Sequence, residues 1–202
     1  MGTIKFDDAR QYALQRLERE LSPNLLYHGI MHTRDDVVPA VEVLASQEGF
    51  REGPRSLLVT AAWFHDLGFI ASVSHHESIS ARLAAEALPG FGFTAEEVDT
   101  IKAIILATVL PQTPKTHLEQ IMADADLDVL GRDDFMPYNH NLRNELALLG
   151  QEFSDFEWYS RQLQFLKSHT YFTASARVLR DAGQLNNIRM LEKWLAGIKN
   201  EA

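Results

Sequence analysis

The chain has 202 residues, of which 46% are hydrophobic, and this is enough for one globular domain with a sizeable core. Its formal net charge is -9, from 28 acidic and 19 basic residues, which argues against nonspecific binding to nucleic acids or to anionic membranes. Because the chain contains no cysteine, disulfides, thiolate catalysis and Cys-based zinc or iron–sulfur sites are excluded. The first residues contain no apolar signal segment, and no uninterrupted apolar run reaches the roughly 18 residues of a membrane span, so we expect a soluble cytoplasmic protein.

Apolar residues recur at helical spacing along most of the chain. In chain order, this pattern predicts helices over 7–21, 37–44, 57–66, 74–88, 94–106, 118–122, 142–149, 156–166, 173–181 and 185–198. Thr94 and Glu97 have the spacing of a capping box at a helix start. No alternating apolar and polar run bounded by turn residues indicates a strand. The sequence therefore predicts an all-α protein, with a single domain over 1–202.

The most informative stretch contains His65 and Asp66, side by side at the end of an apolar helical run. An imidazole and a carboxylate are costly to bury unless something binds them, and a divalent cation is one such partner. Gly68 follows, and we expect it to let the backbone turn sharply away. This stretch therefore indicates two polar groups that face a cavity.

Further candidate metal ligands lie at or near the ends of other apolar segments. They are His32 and either Asp124 or Asp126. Two imidazoles and two carboxylates suit a divalent ion such as Mn²⁺, Co²⁺, Ni²⁺, Fe²⁺ or Zn²⁺, with positions left open for water and substrate. Metal-bound water becomes a nucleophile at neutral pH, so the pattern indicates hydrolysis.

Three motifs in this order resemble the HD superfamily of metal-dependent phosphohydrolases: Tyr27-His28-x-x-x-His32-Thr33, His65-Asp66-Leu67-Gly68 and Asp124-Ala125-Asp126-Leu127. A C-terminal region with Tyr138, Arg143, Glu145, Arg161 and Asn187 is similar to that of a small bacterial HD subgroup. The resemblance implies an HD-domain helical bundle, with a metal-binding core at about 25–135 and extra C-terminal helices at about 138–198. It implies that His32, His65, Asp66 and Asp126 are the ligands. Asp124 stays an alternative to Asp126, because Asp128 stands where the family pattern has Leu.

The number of metal ions follows from a departure from the family pattern. Members with two metals contribute two further histidines between the His-Asp pair and the last Asp. His75 or His76 can supply one of them, but Thr108 stands where the other is expected. We therefore predict one divalent ion, whose identity stays open.

Several other residues are candidates for contact with the substrate or for proton transfer. Glu77 is a candidate catalytic acid or base, although a carboxylate at this position can also stabilise a helix start. His28 is either a pocket residue or a satisfied core histidine, and His76 is a candidate at the pocket rim. Arg34, Arg143 and Arg161 are candidates for phosphate binding, against the alternative of solvated surface charges. The aromatic residues of 153–165 are expected to pack in the core.

The reaction that we predict is hydrolysis of a phosphate ester of a nucleotide or another small phosphorylated metabolite. Asp66 would hold the metal, and Glu77 would act as general acid or base. One alternative is an HD-type di-iron oxygenase, against which Thr108 argues. The other is a catalytically silent nucleotide-binding module. We expect no nucleic-acid polymer and no membrane as partners, and a homodimer stays open.

Overall fold

The computed structural model describes the backbone of residues 4–201 and the side chains of residues 4–197. The predicted all-α fold class is confirmed, because no strand occurs in that range. The α-helices are α1 (Phe6–Glu20), α2 (Val38–Gln47), α3 (Pro54–Phe64), α4 (His76–Ala87), α5 (Ala95–Leu106), α6 (His117–Asp126), α7 (Phe135–Leu148), α8 (Asp155–Ser168) and α9 (Ala174–Glu201). None of the helices within 4–201 is both long and apolar enough to cross a lipid bilayer.

Reciprocal side-chain bonds mark two of the helix starts. Glu97 donates its backbone N–H to the Thr94 hydroxyl at 3.3 Å, and its carboxylate accepts the Thr94 N–H at 2.8 Å. This confirms the predicted capping box at the start of α5. Ser154 and Glu157 make the same pair of bonds at the start of α8, with distances of 3.3 and 2.9 Å.

A π-helical segment, His32–Val37, leads directly into α2. Its wider turn buries His32, Thr33, Asp36 and Val37. Such segments are rare and occur frequently at functional sites. Here the segment carries a predicted metal ligand at its first residue.

Two clusters of buried side chains form the interior. The first core is built mainly by α1 to α6, and its largest side chains include Leu17, Leu44, Leu58, Phe64, Leu88, Ile101 and Ile105. The second core lies between α7, α8 and α9, and its buried members are Leu130, Phe135, Trp158, Tyr159, Leu166, Leu191 and Leu195. Trp158 and Tyr159 are each 2% exposed, as expected for core packing, whereas Phe156 is 41% exposed.

The C-terminal region differs from prediction in one respect: α9 is continuous where two helices were expected. The pattern breaks near Gly183, but the glycine has a packing role. A Cβ atom there would collide with the backbone carbonyl of Gly131, in a short 3-10 turn at Asp128–Gly131. α9 therefore crosses this turn at the closest approach that two glycines allow.

Candidate metal centre

Three helix ends bring the four predicted ligands together. His32 is the first residue of the π-helical segment, and His65 directly follows α3. Asp66 comes next in the chain, and Asp126 is the last residue of α6. A side chain at the end of a helix is not part of the apolar stripe that packs in the core. Polar side chains can therefore reach the interior at these ends while the residues beside them stay packed.

The four side chains approach one another closely. The Asp66 Oδ2 atom is 3.7 Å from His32 Nε2 and 3.3 Å from His65 Nε2. The Asp126 Oδ1 atom is 3.3 Å from His32 Nε2 and 3.5 Å from His65 Nε2. Among these, His32, His65 and Asp66 form a buried group whose ligand atoms lie within 4.8 Å of one another, which can hold a metal ion.

Two atoms of this group are unsatisfied. His65 Nε2 and Asp66 Oδ2 are fully buried and have no hydrogen-bond partner among the described residues. Buried polar atoms are normally paired, so an unpaired nitrogen and an unpaired oxygen that face each other call for a missing partner. A divalent cation fits, since both are good donor atoms for such ions.

The tautomer of His65 is fixed by its other ring nitrogen. Nδ1 lies 2.7 Å from the Ala62 carbonyl oxygen, which can only accept, so Nδ1 carries a proton. In the neutral ring, Nε2 is then a free lone pair directed at the carboxylates. This is the usual arrangement of a histidine that binds a metal.

The imidazoles and carboxylates of the group shift one another's pKa values. Burial alone would raise the pKa of Asp66, but the imidazoles of His65 and His32 outweigh it and hold this pKa below its ordinary value. Burial likewise opposes charging of His65, yet the carboxylates of Asp66 and Asp126 raise its pKa well above the ordinary value. The pair of carboxylates therefore makes this point of the protein attractive to a positive charge.

Asp124 and Asp126 have different positions, although both belong to α6. Asp124 is completely buried and accepts hydrogen bonds from Phe172 N (2.8 Å), Thr173 N (2.8 Å) and Thr173 Oγ1 (2.7 Å). Burial raises the pKa of Asp124 although these bonds oppose the shift. Residues two apart on a helix point in widely different directions. The structure thus brings Asp126 to the imidazoles and uses Asp124 to hold the start of α9.

A cavity of about 400 Å³ opens at the ligand group. Its polar lining residues are Tyr27, His28, His32, Asp66, His76, Glu77, Thr108, Asp126, Tyr138, Asn139 and Gln162. Its apolar lining residues are Leu110, Leu127, Val129, Leu130, Phe135, Leu142 and Phe165. Phe165 is one of the aromatic residues expected in the core, and here it also forms part of the cavity wall.

His28 is held in the cavity wall by a buried carboxylate from α7. Its Nδ1 atom lies 2.5 Å from Glu145 Oε1, and the backbone N–H groups of Tyr27 and His28 donate to Glu145 Oε2 at 2.8 and 3.0 Å. Burial lowers the pKa of His28, but the bond to Glu145 and the negative charges of Asp66, Glu145 and Asp126 together outweigh it and raise the pKa above its ordinary value. No role at the site was predicted for Glu145, because the residues that it binds lie 117 and 118 positions away in the chain.

His76 and Glu77 reach the cavity because α4 begins close to the His-Asp pair. The His76 Nε2 atom is 3.5 Å from Asp66 Oδ1, and its ring stacks on Phe69 with centroids 3.9 Å apart. The Glu77 carboxylate lies 3.6 Å from His76 Nδ1. A Cβ atom on Gly68 would collide with the His76 carbonyl oxygen. The glycine therefore serves this close approach, rather than the sharp turn that was expected.

The three arginines proposed for phosphate binding lie away from the cavity wall. Arg34 pairs with Asp35 at 2.8 Å on the surface. Arg143 binds Asp155 and the Phe153 carbonyl, at 2.7 and 2.6 Å. Arg161 lies over the Phe153 ring, 4.5 Å from its centroid. Their partners come from neighbouring turns and loops, and the residues that line the cavity include none of the three.

The fold is similar to that of two solved structures. A protein from Lactobacillus plantarum is 18% identical with a TM-score of 0.67, over 98% of this chain and 98% of that chain. A predicted HD superfamily hydrolase from an uncultured Thermotogales bacterium is 19% identical with a TM-score of 0.61, over 95% of this chain and 91% of that chain. No protein-family profile and no curated protein sequence matches the chain. At these identities the likeness shows a shared helical fold over almost the whole chain.

Proposed function

We propose that this protein is a metal-dependent hydrolase that cleaves a phosphate ester of a small phosphorylated metabolite. The observation that carries the proposal is the facing pair of buried, unpartnered atoms, His65 Nε2 and Asp66 Oδ2, beside His32 and Asp126. The similarity of the fold to a predicted HD superfamily hydrolase supports the same class of reaction.

In this proposal, His32, His65, Asp66 and Asp126 hold one divalent ion. When bound, such an ion would supply Lewis acidity and lower the pKa of water enough to give a nucleophile at neutral pH. The choice of one ion is supported by Thr108, which lines the cavity and donates its hydroxyl to the Ile105 carbonyl at 2.8 Å, offering no imidazole.

The remaining polar residues of the cavity have roles that follow from their positions. In its protonated form, His28, fixed by Glu145 through Nδ1, can donate a hydrogen bond to a phosphoryl oxygen through Nε2. Glu77 can accept or return a proton next to His76. Neither group needs to move far, because both side chains belong to the cavity wall.

Elemental analysis of the untagged protein, combined with phosphate release from a panel of phosphate esters, tests the proposal. We expect about one equivalent of Mn, Co, Ni, Fe or Zn per chain and turnover that a chelator abolishes and the ion restores. Two irons per chain with an optical absorption would instead indicate the oxygenase. No bound metal and no turnover after reconstitution would contradict the proposal and leave a binding module.

A further inference from the structure

The cavity has two chemically different ends. The metal end is lined by His32, Asp66 and Asp126 of the ligand group, together with His28, His76 and Glu77. The apolar end is formed by side chains of α7, α8 and the turn that follows α6, namely Leu127, Val129, Leu130, Phe135, Leu142 and Phe165. A substrate that fills the cavity must therefore present different chemistry at its two ends.

The charges that line the cavity are mostly negative. Three carboxylates belong to the wall, from Asp66, Glu77 and Asp126, and the lining residues include no lysine and no arginine. A nearby arginine is already committed: Arg132 binds Asp36 at 2.6 Å and Asp134 at 2.5 Å. One divalent ion offsets two of the carboxylates, so little positive charge remains for the substrate.

This charge balance limits the number of phosphate groups. A single phosphoryl group can be met by the ion and by the imidazoles of His28 and His76. A second or third phosphate would enter the cavity without a cationic partner. Burying an unpaired charge is costly, so di- and triphosphates should bind poorly.

A neutral polar group is available at the other end. Asn139 is 3% exposed, and its Oδ1 accepts the Trp158 indole N–H at 2.6 Å. Because an indole can only donate, this bond fixes the amide orientation. The Asn139 Nδ2 atom is then left buried without a hydrogen-bond partner among the described residues. An acceptor atom on the body of the substrate would satisfy it.

We infer that the cavity takes a phosphate monoester with an uncharged, largely apolar body, and that it discriminates against nucleoside di- and triphosphates. The inference rests on the proposed function, since the metal end is assigned to the phosphoryl group. The volume of about 400 Å³ is sufficient for a ring-sized body.

Binding of inert analogues tests the inference separately from turnover. We would compare 1-naphthylphosphonate with α,β-methylene-ADP by calorimetry on the metal-loaded protein, and 1-naphthyl phosphate with ADP in phosphate release. The expected result is at least about tenfold tighter binding of the naphthyl compound, which corresponds to about 1.4 kcal/mol. Equal or tighter binding of the ADP analogue would overturn the inference.

A pair of matched variants sharpens the test. Gln162→Arg adds a cation to the cavity wall on α8, whereas Gln164→Arg adds one to an exposed position of the same helix, outside the cavity. We expect Gln162→Arg to tighten binding of the ADP analogue several-fold and Gln164→Arg to leave it unchanged. Circular dichroism would check that both variants fold. An equal effect of the two variants on binding of the ADP analogue would contradict the inference that the lack of a cation in the cavity wall weakens this binding.

The outcomes distinguish the two proposals. Efficient hydrolysis of ADP by the wild-type protein would overturn the inference and leave the hydrolase proposal intact. Selective binding of naphthylphosphonate without turnover of any ester would support the inference about the cavity and contradict the proposed reaction.

Discussion

The two sides of the cavity come from different cores and differ in what they bury. The side built on the first core places histidines and carboxylates at helix ends, where His65 Nε2 and Asp66 Oδ2 have no hydrogen-bond partner within the described part of the chain. The side built on the second core presents mainly leucine, valine and phenylalanine. From this comparison we infer that the two sides have separate roles. The first side provides the reacting groups, and the second side determines the shape of the space for the substrate.

Several contacts join the two sides, and Glu145 makes one of them. Glu145 belongs to α7 but is buried against Tyr27 and His28, which lie before the π-helical segment. A second junction is made by Asp124 and Glu48, which both bind the start of α9. Substitutions of single carboxylates therefore test this separation of roles, because each carboxylate belongs either to the metal group or to a contact between the two sides.

The largest effect is expected at the metal end. Asp66→Ala should remove the bound ion and lower kcat/KM by at least about 1,000-fold, equivalent to about 4 kcal/mol, because the nucleophile depends on the ion. The helical content should stay the same, since the Asp66 carboxylate contacts histidine side chains and, among the described residues, accepts no hydrogen bond from the backbone of another helix. Metal analysis, kinetics and circular dichroism would measure the three quantities.

The control for this variant is Asp99→Ala, which removes an exposed carboxylate on α5 that pairs with Lys102. It should retain both the metal and the activity. Full activity of Asp66→Ala would contradict the proposed mechanism.

Asp124→Ala should instead destabilise the fold, by about 3 kcal/mol, because it leaves the buried N–H groups of Phe172 and Thr173 without an acceptor. Urea unfolding of metal-free protein would measure the loss. Asp126→Ala, two residues further on, is the matched comparison and should cost clearly less stability in the absence of metal. Equal losses would show that the two carboxylates are not specialised.

Glu145→Gln tests the junction between the two sides. We expect a fall in kcat of roughly 10- to 100-fold with the metal retained, because partners that orient a functional histidine typically have effects of that size. The glutamine keeps the size of the side chain, so thermal unfolding should change little. Glu152→Gln, at an exposed position, serves as the control, and loss of the metal would argue that Glu145 supports the ligands rather than His28.

The sequence was sufficient for the features that depend on local patterns. Helical periodicity predicts the fold class, and the spacing of Thr94 and Glu97 predicts a capping box that the structure contains. The expected break near Gly183 was wrong, since a glycine inside a helix gives the same local signal whether it ends the helix or allows a close crossing.

Features that depend on distant partners could not be predicted. Glu145 and His28 are 117 residues apart, so no local spacing reveals their pairing. Asp124 and Asp126 are equivalent in composition, and only the position of α9 separates their roles. The partners of Arg143 likewise come from the loop and helix start that follow α7. The choice among chemically equal side chains is made by tertiary packing.

The smallest effect is expected at the second junction, where Glu48 accepts hydrogen bonds from Ser175 N at 2.9 Å and Ser175 Oγ at 2.6 Å and also contacts His117. These bonds, first of all the one from the Ser175 hydroxyl, lower the pKa of Glu48 below its ordinary value of 4.5. A carboxyl with a lowered pKa stabilises the fold above its unfolded pKa, and this contribution is lost as the pH falls through the folded value.

Glu48→Gln should therefore cost about 1 kcal/mol at neutral pH, the typical value of a side-chain contact at a helix start. The difference from the wild-type protein should shrink steadily below pH 4.5 and vanish at lower pH, as Glu48 becomes protonated in the wild-type protein too. Thermal unfolding of both proteins across this range would measure it, with Glu42→Gln on the exposed face of α2 as the control. A difference that does not depend on pH would mean that Glu48 holds α9 by packing, and that the charge of this junction contributes nothing to joining the two sides.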